Sequence, residues 1–326
     1  MTIRLSRRAA LSLPLAAAAA PAFAQGDFPS RTVSIIVPFP PGGATDLIAR
    51  PFGAALQRHW GQSVVLQNRG GAGGAVGMNA GAQARADGYT GVIAHVSYSS
   101  IPPADALFNR PSSFDPATLA PVALLTADPL MIVVKADAPW RTWLEFAEEA
   151  RRRPGQIAYG SSGPYSAVHI PFEMLAQAGN FQLNHVPFSG GGPAIAAVLG
   201  GHVAATASTP AVVAPYIRQG QMRALVNTGA RRVALLPDVP TGIELGFAGV
   251  EFYLWVGFFT QAGTDAAIQA RLRQAVAATT RDPEMLRQLE TAGLVLDHRE
   301  GQGFADFLAA DRQRVTAVVN RIGRVE

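Results

Sequence analysis

The sequence predicts an α/β fold of two doubly wound lobes separated by a central cleft. Short β-branched or apolar runs are repeatedly followed by a small or polar loop and then by a segment with helical apolar spacing, which is typical of sheets covered by helices. The 33 glycines and 24 prolines cluster at the ends of the predicted strands, where shaped loops need them. With 326 residues, 48% of them hydrophobic, the chain is long enough for two medium domains.

Residues 1–24 are predicted to be an export signal peptide. Arg4, Arg7 and Arg8 form a charged head, a short apolar run follows, and Ala22-Phe23-Ala24 is a small-x-small cleavage site. The apolar run is shorter than the roughly 20 residues that span a bilayer, which disfavours a membrane anchor. The sequence leaves open whether export uses the general secretory or the twin-arginine route. The segment carries three arginines and no acid, so its removal lowers the formal charge from +4 to +1.

The first lobe begins with the strand at residues 32–37, which is β-branched and therefore predicted to be buried. The loop at 38–46 and a helix follow, and further strands are predicted at 64–66 and 91–95. A new series begins near Pro121. Its predicted strands lie at 123–125, 131–134, 157–159, 184–187 and 203–207, with a helix at 143–153 that Pro154-Gly155 ends.

The last part of the chain returns to helices. An aromatic strand at 252–259 precedes amphipathic helices at 265–281, 283–293 and 302–322. We predict that residues 25–126 and 252–326 form the first lobe and residues 127–251 the second. The strands at 131–134 and 252–259 are the candidate crossings between them.

The loops at the strand-to-helix junctions are the candidate binding elements. Ligands of doubly wound folds lie beyond the carboxyl ends of the strands, and helix N-termini offer free N–H groups to anions. Each loop alone also fits an ordinary capped turn, exposed serines or a structural histidine, but one cleft would bring them all together. The candidate residues are Phe39, Pro40, Gly42, Gly43, Thr45, Asp46, His95, Ser97, Tyr98, Ser161, Ser162, Ser166, Phe188, Gly190, Gly191, Ser208 and Thr209.

The composition excludes several chemistries. The absence of cysteine rules out thiol nucleophiles and thiolate metal sites. Lys135 is the only lysine and no glycine-rich loop precedes it, which rules out a Walker phosphate loop. The histidines lack metal-ligand spacing, and no basic patch interleaved with aromatics suggests nucleic acid. We therefore expect no cofactor, no metal and no nucleic-acid partner.

Enzyme motifs are approached but not completed. The stretch at 71–74 resembles a dinucleotide fingerprint, but Val76 replaces its last glycine. Pro164 stands where a nucleophile elbow requires glycine. We therefore predict a protein that catalyses nothing. The rival hypothesis is a periplasmic hydrolase that uses Ser161, Ser162 or Ser166 with a histidine such as His169.

Several stretches resemble the receptors of tripartite tricarboxylate transporters, the Bordetella uptake gene group. They include IIVPFPPGGATD, HVPFSGGGPAIAAVLGGHV and MRALVNTGARRVALLPDVPT, and the likeness runs collinearly from about Phe28 onward. The resemblance implies a class II periplasmic binding protein fold and a small organic acid ligand delivered to membrane permease subunits. It implies that backbone amides and ordered waters hold the carboxylate. Carried over by position, the binding loops are 39–46, 95–98, 161–166 and 188–191.

The chain departs from the family pattern at a few positions. The family often has Asn or Thr where His95 and Val96 stand, a polar residue at Val168, and Asp-Asn at Ser208-Thr209. An acid at that last loop suits an ammonium group, so its absence favours a dicarboxylate, an aromatic carboxylate or another small organic acid over an amino acid. A receptor that signals to a membrane sensor is a further alternative that the sequence leaves open.

Overall fold

A computed structural model of the protein describes residues 28–325. The predicted signal peptide and its cleavage site lie outside these residues. Within the described range, no helix has the length and apolar character needed to cross a membrane. The strands are β1 Val33–Val37, β2 Val64–Asn68, β3 Thr90–His95, β4 Leu119–Pro129, β5 Met131–Lys135, β6 Ala158–Ser161, β7 Asn184–Pro187, β8 Ala205–Ser208, β9 Met222–Asn227, β10 Tyr253–Gln261 and β11 Arg299–Glu300.

The helices follow the strands in the predicted alternation. The helix predicted at 143–153 spans Trp143–Arg152 and begins with a capping box between Thr142 and Glu145. The helices are α1 Ala44–Trp60, α2 Ala75–Ala82, α3 Ser97–Leu107, α4 Trp143–Arg152, α5 His169–Gly179, α6 Gly191–Leu199, α7 Pro210–Arg218, α8 Ala266–Thr279, α9 Pro283–Ala292 and α10 Gln302–Ile322.

The strands form two sheets, one in each lobe. The first sheet has the order β11-β4-β10-β3-β1-β2 and the second β7-β6-β8-β5-β9. Strands β1, β2 and β3 are parallel, as are β6, β7 and β8, whereas β10 and β5 run antiparallel to their neighbours. Helices cover both faces, which explains why β1 and β3 read as almost continuous apolar runs. The predicted fold class, two α/β lobes with a cleft, is confirmed.

The chain crosses between the sheets at two adjacent points. The first crossing is Leu130, between β4 and β5, and the second is the segment between β9 and β10. The amide of Thr228 donates to the carbonyl oxygen of Leu130 (2.9 Å) and the amide of Phe252 donates to the carbonyl oxygen of Thr228 (2.9 Å). The hydroxyl of Thr228 also accepts from the Leu130 amide and donates to the Phe252 carbonyl oxygen. Thr228 therefore ties the two crossings together.

The crossings differ in detail from the sequence prediction. We expected the strands at 131–134 and 252–259 to pass between lobes, but β5 lies wholly in the second sheet and β10 wholly in the first. Strand β4 extends to Pro129, three residues past the predicted end of this part of the first lobe at residue 126. A strand can be read from its apolar residues, but its sheet is decided by pairing partners far away in the chain. The lobe boundaries stay a prediction.

Helix α10 contacts both lobes. It packs on α3 and β4 of the first lobe and reaches α5 of the second. Its Asp311 accepts hydrogen bonds from Ser99 Oγ (2.7 Å) and Trp255 Nε1 (2.8 Å), which fix it to the first lobe.

Candidate functional site

The candidate loops of the two lobes face each other and touch. A Cβ added to Gly190 would lie 2.7 Å from Pro40 Cδ, and one added to Gly192 would lie 2.8 Å from the carbonyl oxygen of Pro41. At a second contact between the lobes, a Cβ added to Gly163 would lie 3.2 Å from the Gly73 amide nitrogen. Such close approach of two backbones requires glycine. The structure is therefore a closed arrangement in which main chain meets main chain across the cleft.

Asp46 holds the first loop in shape. Its Oδ2 accepts from the Gly42 amide (3.2 Å) and from Arg50 Nε (2.8 Å), and its Oδ1 accepts from Asn68 Nδ2 (3.1 Å). Asn68 also donates to the carbonyl oxygen of Phe39 (2.9 Å). The Asp46 carboxylate, which we predicted to contact the ligand, therefore already accepts hydrogen bonds from donors of the protein. Its role in this geometry is to position the loop and the start of α1.

The helices that begin at the cleft lack side-chain caps. This holds for α1, α3, α5, α6 and α7, which follow the carboxyl ends of β1, β3, β6, β7 and β8. Helix α10, away from these loops, is also uncapped. By contrast, α4, α8 and α9 are capped by Thr142, Asp265 and Asp282. The first amides of α3 and α5 are taken up by His95 Nδ1 and Ser166 Oγ. The helices that offer free N–H groups and the positive ends of their dipoles to an anion are therefore chiefly α1 and α6.

Two buried hydroxyls at the cleft have no protein partner. Ser97 Oγ and Thr209 Oγ1 make no hydrogen bond to any described residue, although both residues are fully buried. A buried hydroxyl without a partner costs about 1–3 kcal/mol. The two hydroxyls, one from each lobe, can offset that cost by forming hydrogen bonds to a polar ligand.

His95 presents a neutral donor. Its ring stacks on Phe39 with centroids 4.2 Å apart, and its Nδ1 accepts from the Ser97 amide (3.1 Å). Burial lowers the pKa of His95 to about 3, so the imidazole carries no charge near neutral pH. Because Nδ1 is an acceptor, the proton lies on Nε2. The side chain can therefore donate one hydrogen bond without contributing a cation.

The second-lobe serines are positioned by their own loop. Ser161 Oγ is 2.6 Å from His185 Nε2 and accepts from the Gly163 amide (3.0 Å). Ser166 Oγ accepts from the His169 amide (3.3 Å). Ser162 and Ser208 are buried as well, and Thr45 lies buried in the first turn of α1. The loop that carries Ser161, Ser162 and Ser166 thus contains the interlobe contact of Gly163 with Gly73, and Ser161 is already engaged by His185.

Two predicted side chains point elsewhere. The Tyr98 ring is buried in the first-lobe core 4.9 Å from Phe259, and its hydroxyl donates to the carbonyl oxygen of Pro116. Phe188 is half-buried and packs against a core cluster of the second lobe, and its ring limits the space at Gly160. Both residues flank a predicted loop, but the direction of their side chains depends on packing that spacing alone does not reveal.

The hydrolase hypothesis finds no complete triad. The predicted base His169 uses its Nδ1 to accept from the Tyr165 amide (3.0 Å). The Ser161–His185 pair was not predicted, and among the described residues no carboxylate hydrogen-bonds to His185. Instead the His185 ring lies 4.2 Å from the His169 ring, and Glu173 accepts from the Tyr159 hydroxyl. The orienting acid that a triad needs is missing from this pair.

The fold and the cleft define a two-lobed solute-binding receptor of the periplasmic type. Residues 48–324 match the model of the tripartite tricarboxylate transporter family receptor, and the chain belongs to this family. Protein BugT of Bordetella pertussis is 33% identical over 298 residues, which are 91% of this chain and 90% of that protein.

Solved structures of carboxylate complexes are similar over almost the whole chain. MatC from Rhodopseudomonas palustris with bound malate has a TM-score of 0.83 and 30% identity, covering 90% of this chain and 100% of that one. Rpa4515 of R. palustris with adipate has a TM-score of 0.84 and 29% identity, covering 91% and 99%. The family is one of transporter receptors, and the structure of periplasmic binding protein BugD is also similar, with a TM-score of 0.85 and 27% identity.

Proposed function

We propose that the protein captures a small organic carboxylate in the cleft between its lobes and passes it, chemically unchanged, to membrane permease subunits. The observation that carries this proposal is the combination of uncapped helix N-termini with the unpartnered hydroxyls of Ser97 and Thr209. The candidate loops contain no arginine or lysine. Backbone N–H groups and neutral donors are therefore the means of holding the anion.

The ligand class that fits best is a dicarboxylate or a hydroxy acid. One carboxylate would meet the N-termini of α1 and α6, and the opposite end would meet the neutral donors His95, Ser97 and Thr209. No acid stands at Ser208 or Thr209 to receive an ammonium group. The malate and adipate complexes of similar proteins support this choice. The predicted site residues other than Tyr98 and Phe188, the signal peptide and the lobe boundaries are part of the proposal.

The first test is a search for the ligand. Mass spectrometry of small molecules that copurify with the mature protein should find an organic acid, and a thermal-shift screen that includes malate and adipate should find stabilisation. An acid at 100 times its dissociation constant stabilises by about 2.7 kcal/mol. Release of product from ester or amide substrates, without stabilisation by any acid, would support the hydrolase instead.

The second test uses two neighbouring serines. Ser97→Ala removes an unpartnered buried hydroxyl, so the ligand-free protein should keep or gain stability while its affinity for the acid falls by about tenfold. Ser99→Ala is the matched control, because Ser99 Oγ donates to Asp311. It should lower stability and leave affinity unchanged. An affinity that does not respond to Ser97→Ala would remove this hydroxyl from the site.

A further inference from the structure

Tyr165 lies between the lobes with every one of its polar groups bonded. It follows the second-lobe serine loop and has a left-handed backbone (φ 52°), which is unfavourable for a residue other than glycine. Its amide donates to His169 Nδ1 (3.0 Å), and its carbonyl oxygen accepts from Ser100 Oγ of α3 (2.8 Å). The Ser100 bond joins the first lobe directly to the loop that carries Ser161, Ser162 and Ser166.

The Tyr165 hydroxyl holds the segment that follows α10. It donates to the carbonyl oxygen of Gly323 (2.8 Å) and accepts from the amide of Val325 (3.0 Å). Between these two residues, Arg324 Nε donates to the carbonyl oxygen of Leu107 at the end of α3. Residues 323–325 therefore alternate between partners in the second and the first lobe.

Neighbouring contacts strengthen the same connection. The Tyr165 ring makes an edge contact with Phe108 of the first lobe (6.2 Å between centroids). On α5, Gln177 Nε2 donates to the carbonyl oxygen of Arg321 (3.1 Å). Helix α10 is itself fixed to the first lobe through Asp311. The hydrogen bonds of this cluster thus link a first-lobe helix, the second-lobe serine loop and the segment after α10.

We infer that Tyr165 and residues 323–325 form an interlobe clasp that positions the serine loop against the first lobe and sets how long the closed state lasts. This inference rests on the proposed function, in which closure retains the ligand. The bond from Ser100 and the two bonds of the Tyr165 hydroxyl are made in the closed arrangement and oppose its opening. Tyr165 is a positioning residue in this scheme, because its hydroxyl is used by the chain itself.

The test compares two tyrosine hydroxyls. Tyr165→Phe removes the two bonds to residues 323 and 325 and keeps the ring and the strained backbone. Tyr98→Phe is the control, since the Tyr98 hydroxyl bonds to the Pro116 carbonyl oxygen inside the first lobe. Because the chain has no cysteine, dyes can be placed at Ala54→Cys on α1 and Gln219→Cys after α7, both exposed. Single-molecule energy transfer between them reports the interlobe distance.

We expect Tyr165→Phe to raise the ratio of open to closed molecules by about tenfold, the ratio that 1.4 kcal/mol produces, because a pair of hydrogen bonds contributes on that scale. The distance is measured without ligand and with saturating malate or adipate. Tyr98→Phe should lower the unfolding midpoint to a similar degree and leave the ratio unchanged. A chain that ends at Ile322 should shift the ratio at least as far as Tyr165→Phe, because it also removes the bond from Arg324 to Leu107. Adding Tyr165→Phe to that shortened chain should shift the ratio no further, since both bonds of the hydroxyl are already lost.

Equal ratios in Tyr165→Phe, Tyr98→Phe and the unchanged protein would overturn the clasp. So would a protein that binds an organic acid and shows only the open distance; in that case the proposed function stands and the clasp falls. If no acid binds, the proposed function fails, and the ligand-free distances still decide whether the clasp exists.

Discussion

Gly190 offers the most direct test of the closed cleft. Its backbone is extended (φ 176°, ψ 175°), so a substituted residue adopts it without strain. A Cβ at this position would lie 2.7 Å from Pro40 Cδ and 3.2 Å from Pro40 Cγ. Ordinary contacts are 3.4–4 Å, so Gly190→Val forces the loops about 1 Å apart before its methyl groups are considered. The proline ring belongs to the opposite lobe and cannot swing aside as a flexible side chain would.

The cost of this clash falls on the closed state alone. Overpacking of this kind costs about 1–3 kcal/mol, and in the open state Pro40 is no longer in contact. We therefore expect Gly190→Val to weaken binding of the acid found in the screen by about 5–150-fold, with an unchanged thermal midpoint for the ligand-free protein. Calorimetry measures the affinity, and small-angle scattering measures the compaction that accompanies binding.

Gly242→Ala is the matched control for that experiment. Gly242 lies in the second lobe, and a Cβ there would meet Val250 at 3.6 Å, an ordinary contact. It should bind and compact like the unchanged protein. If Gly190→Val also binds with full affinity and compacts fully, the loops do not close as the structure shows.

Three further predictions concern charge, acidity and export. Arg50→Ala should leave affinity within about threefold, less than roughly 1 kcal/mol, because the Arg50 side chain is largely exposed and its charge is paired with Asp46. A hundredfold loss would show that this cation supplies the anion site. Burial lowers the pKa of His95 to about 3 and that of His185 to about 4, whereas the unfolded value is about 6.5. The unfolded chain therefore binds more protons below about pH 6.5. The free energy of unfolding should fall by roughly 2 kcal/mol for the buried His95 between pH 7 and pH 5, and by less for the half-buried His185. Urea unfolding of His185→Asn should show a shallower fall, and curves that stay parallel would contradict the assignment. Protein recovered from the periplasm should begin at Gln25 by N-terminal sequencing, and retention of residues 11–20 in a membrane fraction would refute the signal peptide.

The elements of the fold were predictable because their signals are local. Residues 32–56 show this: a β-branched run is followed by glycine and then by apolar residues at helical spacing. This pattern predicts a strand, a loop and a helix within one short window. The approach of the candidate loops to one another has no local signal of this kind. It follows from the parallel arrangement of the strands, because the carboxyl ends of parallel strands meet at one edge of a sheet.

The internal contacts of the site could not be read from the sequence. Ser161 pairs with His185 and Asp46 with Asn68 across more than twenty positions, and no local pattern encodes such partners. Tyr98 and Phe188 follow strands as the site residues do, but their large rings gain more free energy from burial in a core than from lining a wet cleft. The role of Tyr165 is not visible in the local sequence, because the partners of its hydroxyl lie in residues 323–325, far along the chain.

The closing surface of the cleft is made largely of main-chain atoms and of residues with little or no side chain. Gly43 faces Gly192, Gly190 faces Pro40, and Gly163 faces Gly73. Most substitutions on a surface of this kind would add a side chain that prevents closure, so few of them can be tolerated. The residues at the other end of the ligand are not restricted in this way. In the proposed site, changes at positions such as His95, Ser208 or Thr209 would alter which acid is accepted and preserve the anchoring of its carboxylate. One scaffold can thereby supply receptors for many different acids, with selectivity exchanged at one end and affinity conserved at the other.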